Sequence, residues 1–231
     1  MIEKNYLPHI DILRALAVSL VILHHIPIFN LTGGYIGVDI FFVISGHLIT
    51  KHIISHHNEK YFIGNFYKSR IIRLAPALFT VLFFSVIIFS FILTPDEILA
   101  FYQSIIYANF FSINIYIWKE LDGYFTINSA NTPLMHLWSL AVEEQFYITW
   151  PIILVFILKL KKYSKITIFL LIIFFLFISE IVATGNSNAA YFLTQYRAFE
   201  FIIGASIFFI PQKIYSNYII NTILIISVFV P

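Results

Sequence analysis

Long apolar runs separated by short polar stretches set the pattern of this chain. A helix needs about 20 mainly apolar residues to cross ~30 Å of hydrocarbon. Such runs fall at about 10–29, 36–54, 74–94, 137–158, 166–183, 198–211 and 217–231. Ten-residue segments of alternating polarity, the mark of a membrane β-barrel, do not occur in the sequence. The pattern therefore predicts an all-α, polytopic transmembrane bundle of about seven spans. A further apolar stretch, about 99–118, carries Gln103, Asn109 and Asn114. Counting it as a span would invert everything downstream, so it is read as a non-spanning helix or re-entrant piece at the outer face. With no internal repeat, linker or second domain in view, residues 1–231 are read as one membrane domain. The final run is still apolar at Pro231, which predicts a domain incomplete at its C-terminus.

Composition strengthens this picture. Hydrophobic residues make up 60% of the chain and charged residues 11%, against about 25% charged in soluble domains. Too few charges remain to cover a water-exposed globule, so the expected solvent is the lipid bilayer. The first run holds Asp11, Arg14 and His25 and lacks a small-residue cleavage site, unlike a signal peptide. The chain has no cysteine, which excludes a disulfide framework and a zinc–thiolate centre. Its net charge of +2 is too small to imply nucleic acid, and no bound cofactor, metal or protein partner is expected.

The few cations set an orientation. Lys4, then Lys51, Lys60, Lys68, Arg70 and Arg73, then Lys159, Lys161, Lys162, Lys165 and Lys213 fall on one side of seven alternating spans. Only Lys119 and Arg197 fall on the other. The N-terminus is thus expected in the cytoplasm of a bacterial cell, the chain lying in the inner membrane.

Ionisable side chains within lipid cost several kcal/mol and are functional candidates. At about 100° and 1.5 Å per residue, Arg14 and His25 lie within roughly 20° of each other and ~16 Å apart along one helix. Asp11 lies within roughly 60° of Arg14, whereas His24 turns away by about 80°. The packing alternative is a surface Asp11–Arg14 pair and a capping His25. In the second run Asp39 needs a partner or water, and Gly46 shares its face, which admits a neighbouring helix. Arg70 and Arg73, three apart, form a basic face beside Lys68. Such a face is either a phosphate clamp or a lipid-headgroup anchor, and charge alone favours the anchor. In the fourth run His136, Glu143 and Tyr147 share a face with Ser139 alongside. The adjacent carboxylates of Glu143 and Glu144 are hard to explain as packing. Arg197 and Glu200, at i and i+3, read as a structural pair bordering the site.

Five blocks carry a resemblance: IDILRALAVSLVILHH, GGYIGVDIFFVISGHLIT, FYKSRIIRLAPALF, HLWSLAVEEQFYITWP and YRAFEFIIGA, in that order from Ile10 to Ala205. Together they resemble the acyltransferase-3 family, bacterial inner-membrane enzymes that O-acylate cell-surface glycans, O-antigen acetylases among them. The resemblance implies that Arg14 and His25 are the family's first-helix arginine and histidine. It implies that Arg70 and Arg73 are its RxxR motif, and that Ser139, Glu143, Glu144, Gln145, Phe146 and Tyr147 form its SxxxEE-Q-F-Y block. It also implies a cytoplasmic acyl-CoA donor, usually acetyl-CoA, and an external glycan or lipid-linked glycan acceptor such as lipopolysaccharide O-antigen or exopolysaccharide. Family members typically have about ten helices, which agrees with a truncated chain.

The expected chemistry is acyl transfer from a thioester to a sugar hydroxyl, and the hydroxyl needs a base. His25 is the candidate base or a transient acyl carrier. Arg14 would orient the donor or stabilise developing charge, and Glu143 or Asp39 would hold the imidazole tautomer. Arg70, Arg73 and Lys68 would bind the CoA phosphates, with Ser139, Glu144, Tyr147 and His136 around the site. Two competing readings remain: a proton-coupled transporter or flippase, which should show broken helices in repeated halves, and an inactive truncated remnant.

Overall fold

A computed structural model describes residues 8–26, 28, 32–120 and 132–210. Among these the chain is helical, with no strand. The helices are α1 (Pro8–His25), α2 (Ile36–His56), α3 (Phe62–Ile92), α4 (Pro95–Asn109), α5 (Ile113–Glu120), α6 (Leu137–Lys159), α7 (Ser164–Gly185), α8 (Ser187–Phe192) and α9 (Thr194–Ser206). A short 3₁₀ turn, Lys161–Tyr163, leads into α7.

Four helical stretches are long and apolar enough to cross a membrane: Ile36–His56, Phe62–Ile92, Leu137–Lys159 and Lys161–Gly185. The count of about seven spans is not reproduced among the described residues. The 18-residue α1 and the 13-residue α9 are not among those four, and the run 217–231 lies outside the described residues. The third run also differs from expectation. The basic segment before residue 74 belongs to the same 31-residue helix as the apolar run. At about 1.5 Å per residue, α3 is ~46 Å long, longer than ~30 Å of hydrocarbon.

The stretch 99–118 divides into α4 and α5, with 15 and 8 residues, too short to cross. Its start follows from local chemistry. Pro95 occupies the first turn, and Thr94 and Glu97 form a capping box in which the Thr94 N–H and hydroxyl donate to Glu97 Oε2 at 2.9 and 2.8 Å. Its break is at Phe111, whose φ of 49° turns the chain into α5.

Burial separates the bundle centre from its lipid face. Half of the spanning window of α2 and of α6 is buried, against 11% for α3 and 6% for α7. The centre is an aromatic stack from three helices. Phe42 of α2 stacks on Phe201 of α9 at 4.5 Å, Phe201 on Phe146 of α6 at 4.3 Å, and Phe146 on Trp150 at 5.1 Å. Trp150 then donates to Thr50 of α2 at 2.8 Å. Lipid is as apolar as these side chains, so close backbone approach contributes much of the specificity. A Cβ on Gly46 would lie 1.9 Å from the Phe201 carbonyl oxygen, and one on Gly204 would lie 1.9 Å from that of Val43. The two glycines thus let α2 and α9 cross in direct contact.

Candidate functional site

The first cavity opens between α1, α2 and α6. It has a volume of about 320 Å³, and Val18, Val21, Phe42, Ser139 and Glu143 are among its lining residues. Val18 and Val21 lie on the α1 face that carries Arg14 near one end and His25 at the other. Arg14 itself pairs with Asp11 at 3.8 Å, and both side chains are substantially exposed. Nδ1 of His25 lies 2.8 Å from the Val21 carbonyl oxygen. A carbonyl only accepts, so Nδ1 donates this bond, and in the tautomer with a single ring N–H the lone pair then falls on Nε2. His24 takes the other side, where its Cβ lies 2.4 Å from a Cβ built on Gly34 and its ring is edge-on to Tyr35 at 6.1 Å.

Nδ1 of His25 thus meets the Val21 carbonyl one turn back, while Asp39 and Glu143 bond to other partners. Asp39 accepts from Arg197, whose Nε is also 3.1 Å from Glu200 Oε1. The Arg197 guanidinium lies over the rings of Phe42 and Tyr191 at 5.6 and 5.5 Å. Asp39, Arg197 and Glu200 thus form an ionic cluster between α2 and α9. The expected pair Arg197–Glu200 is part of it, and Asp39 joins it across the two helices.

Glu143 is held differently. Its Oε1 accepts from both the Ser45 hydroxyl of α2 and the Tyr147 phenol one turn along α6. Ser139 donates at 3.5 Å to the His136 carbonyl.

A second cavity, of about 450 Å³, lies between α3 and α6, about a quarter turn around α6 from the first. Its lining includes Arg70, Leu74, Phe79, Phe111, Glu144 and Tyr147. The Arg70 guanidinium sits 4.3 Å from the centre of the Tyr147 ring and 5.7 Å from that of Phe66. Tyr67 of α3 donates to the Ile148 carbonyl at 2.6 Å, fixing α3 against α6. Glu144 is buried and its Oε1 has no hydrogen-bond partner, in a cavity that also holds Arg70. Arg73 and Lys68 are exposed and do not line this cavity. On a helix Lys68 is about 160° from Arg70, the opposite side. Arg70 points inward, away from the headgroup-anchor role that charge alone favours.

Sequence reasoning did not single out Ser45, nor the roles of Asn114 and Thr194. Gln145 donates to the Phe111 carbonyl at 2.7 Å and to Asn114 at 2.9 Å, and Thr194 donates to Gln145. Asn114 donates to the Phe192 carbonyl at 3.0 Å. The available signal was a polar side chain inside an apolar run, which singles out such residues without naming their partners.

The fold and these two cavities define a helical membrane protein with a polar, partly buried interior. The chain belongs to the acyltransferase-3 family: the family's model, described as an acyltransferase domain, matches residues 7–231. Among curated relatives, O-acetyltransferase OatA of Staphylococcus aureus is 37% identical over 216 residues, covering 91% of this chain and 36% of the relative. Peptidoglycan O-acetyltransferase OatA of Listeria monocytogenes is 36% identical over 216 residues, covering 90% of this chain and 34% of the relative. The chain thus spans about a third of the length of the relatives it matches. No solved structure matches it significantly.

Proposed function

We propose that this protein is a membrane O-acetyltransferase that moves an acetyl group from cytoplasmic acetyl-CoA to a hydroxyl of peptidoglycan outside the bacterial inner membrane. The observation that carries the reading is the pair of cavities flanking α6, one lined by Arg70 and the other facing the Arg14–His25 side of α1. The peptidoglycan acceptor replaces the lipopolysaccharide or exopolysaccharide first expected, because the Listeria relative is named for peptidoglycan.

Nε2 of His25 takes the hydroxyl proton as the acceptor oxygen attacks the thioester carbonyl. The new C–O bond forms, the C–S bond breaks, and the imidazolium returns the proton to the departing thiolate. Should His25 act as the acyl carrier, Nε2 forms a C–N bond to the acetyl group as the C–S bond breaks and the thiolate leaves. The acceptor hydroxyl then forms the C–O bond as the C–N bond breaks, and its proton passes to the freed imidazole. Arg14 stabilises the developing negative charge. Arg70, aided by Arg73, meets the CoA phosphates, to which a guanidinium fork is suited. Lys68 contributes only long-range charge. Ser139, Glu144 and His136 line or border the path between the two sides.

The test uses membrane vesicles containing the protein, given radiolabelled acetyl-CoA on the cytoplasmic face and peptidoglycan on the other. Base-labile label on the glycan is the expected result. Label confined to the donor, together with acetate-independent proton flux, would favour the transporter reading.

A further inference from the structure

We propose that Ser45 is a positioning residue of the transfer site, holding Glu143 at the wall of the cavity between α1, α2 and α6. This role rests on the reading of that cavity as the place of transfer. In a helix, a hydroxyl commonly satisfies itself by bonding to the carbonyl one turn back. Ser55, Thr80, Ser90 and Thr167 do so, on the carbonyls of Lys51, Pro76, Val86 and Tyr163. Ser45 does not. It is buried, and its hydroxyl donates across the bundle to a carboxylate 98 residues away.

The neighbouring glycine explains how the hydroxyl is aimed. Gly46 lies against the Phe201 carbonyl and Gly204 against that of Val43, which fixes the rotation of α2 against α9. Residue 45 is displaced from Gly46 by about 100°, and it faces α6. Ser45 and Tyr147 then donate to the same oxygen of Glu143, from two different helices. A carboxylate offers about four acceptor positions, and these two bonds occupy Oε1 alone. The side chain is thereby locked at the cavity wall, and Oε2 takes neither bond. Tyr147 also lines the Arg70 cavity, so the held carboxylate stands at the partition between the two sides.

The experiment compares Ser45→Ala and Ser45→Thr with the wild type in vesicles, with turnover normalised to folded protein. Loss of one hydrogen bond to a charged group corresponds to about a tenfold fall. Ser45→Ala should lower kcat about tenfold and leave the KM for acetyl-CoA within about twofold, because the displaced Glu143 carboxylate would no longer stabilise the imidazolium that forms at His25 during transfer. Ser45→Thr, which keeps the hydroxyl, should recover most of the rate. Unchanged kcat in Ser45→Ala, an equal loss in both variants, or an effect on KM alone would overturn the role. A second readout does not depend on turnover: the infrared carboxylate band that disappears in Glu143→Gln should shift in Ser45→Ala. An unshifted band overturns the bond. Wild-type vesicles without transfer overturn instead the functional reading, and this role with it.

Discussion

The guanidinium of Arg70 lies 4.3 Å from the centre of the Tyr147 ring, and the same phenol donates to Glu143. A cation over a ring in a partly desolvated site is held by about 2 kcal/mol, so Arg70 is kept inside the bundle and faces a 450 Å³ cavity. Removing Arg70 should therefore affect donor use more than removing its exposed neighbours. Arg70→Ala is expected to raise the KM for acetyl-CoA about tenfold, the scale of a charge-assisted hydrogen bond. Arg73→Ala should have a smaller effect, and Lys68→Ala should stay within about twofold, as exposed charges do. Initial rates against donor concentration, at matched membrane levels, decide the order. An unchanged KM for Arg70→Ala would return it to lipid anchoring.

Asp39 should behave as a structural residue. Arg197 is largely buried and is balanced by Asp39 and Glu200. Breaking a buried pair by removing one partner costs about 3–5 kcal/mol, because the other charge is left uncompensated. Asp39→Asn is expected to lower thermal stability in detergent and the yield of folded protein, with residual activity per folded molecule. Normal stability with no activity would restore Asp39 to the chemistry.

Several of these relationships were legible in the sequence and others were not, for a physical reason. A 3.6-residue repeat assigns faces within one helix, and it separated His24 from His25 and grouped Glu143 with Tyr147. It also marked Gly46 as a point of helix approach, where Phe201 is found. The repeat carries no information on the register between helices. The pairing of Asp39 with Arg197, 158 residues apart, and of Ser45 with Glu143 depends on that register. The extent of α3 has another cause: Lys68, Arg70 and Arg73 bound the apolar run 74–94 without ending the helix. Helical hydrogen bonding continues through them, because all three have good helix propensity.

The capping box of α4 has a definite pH dependence. The backbone N–H of Thr94, and then its hydroxyl, hold the Glu97 carboxylate below its usual pKa. A lowered folded-state pKa gives stability that is present above the unfolded value of about 4.3 and lost as pH falls through the folded value. Protection factors of the amides in the first turn of α4, referred to the intrinsic exchange rate at each pH, should therefore fall in acid. Glu97→Gln should show weaker protection at neutral pH and little further change on acidification. An identical acid response in both proteins would remove Glu97 as the cause.

The orientation makes a separate prediction. Lys119 in α5 and Lys161 before α7 are both exposed, and they lie on opposite sides in the cytoplasmic N-terminus arrangement. The chain has no cysteine, so single substitutions give clean labelling. An impermeant thiol reagent added outside should modify Lys119→Cys and spare Lys161→Cys until the membrane is opened. Equal labelling, or the reverse, would invalidate the arrangement.

His24 and His25 give the sharpest contrast, because adjacent residues of the same type meet different surroundings. His25 directs Nδ1 to the Val21 carbonyl at 2.8 Å and keeps Nε2 as the basic nitrogen. His24 packs against Gly34 and edge-on to Tyr35, where truncation removes packing from the α1–α2 corner. Loss of a positioned general base costs about 10²–10⁴-fold, so His25→Ala should abolish measurable transfer while membrane insertion and stability persist. His24→Ala should keep substantial turnover per folded molecule and lose some thermal stability. His25→Gln can also donate to the Val21 carbonyl but supplies no base, so it should be as inactive as His25→Ala. If His24→Ala is inactive and His25→Ala is not, α1 carries its chemistry on the Gly34 side, and the assignment of Nε2 of His25 as the base fails.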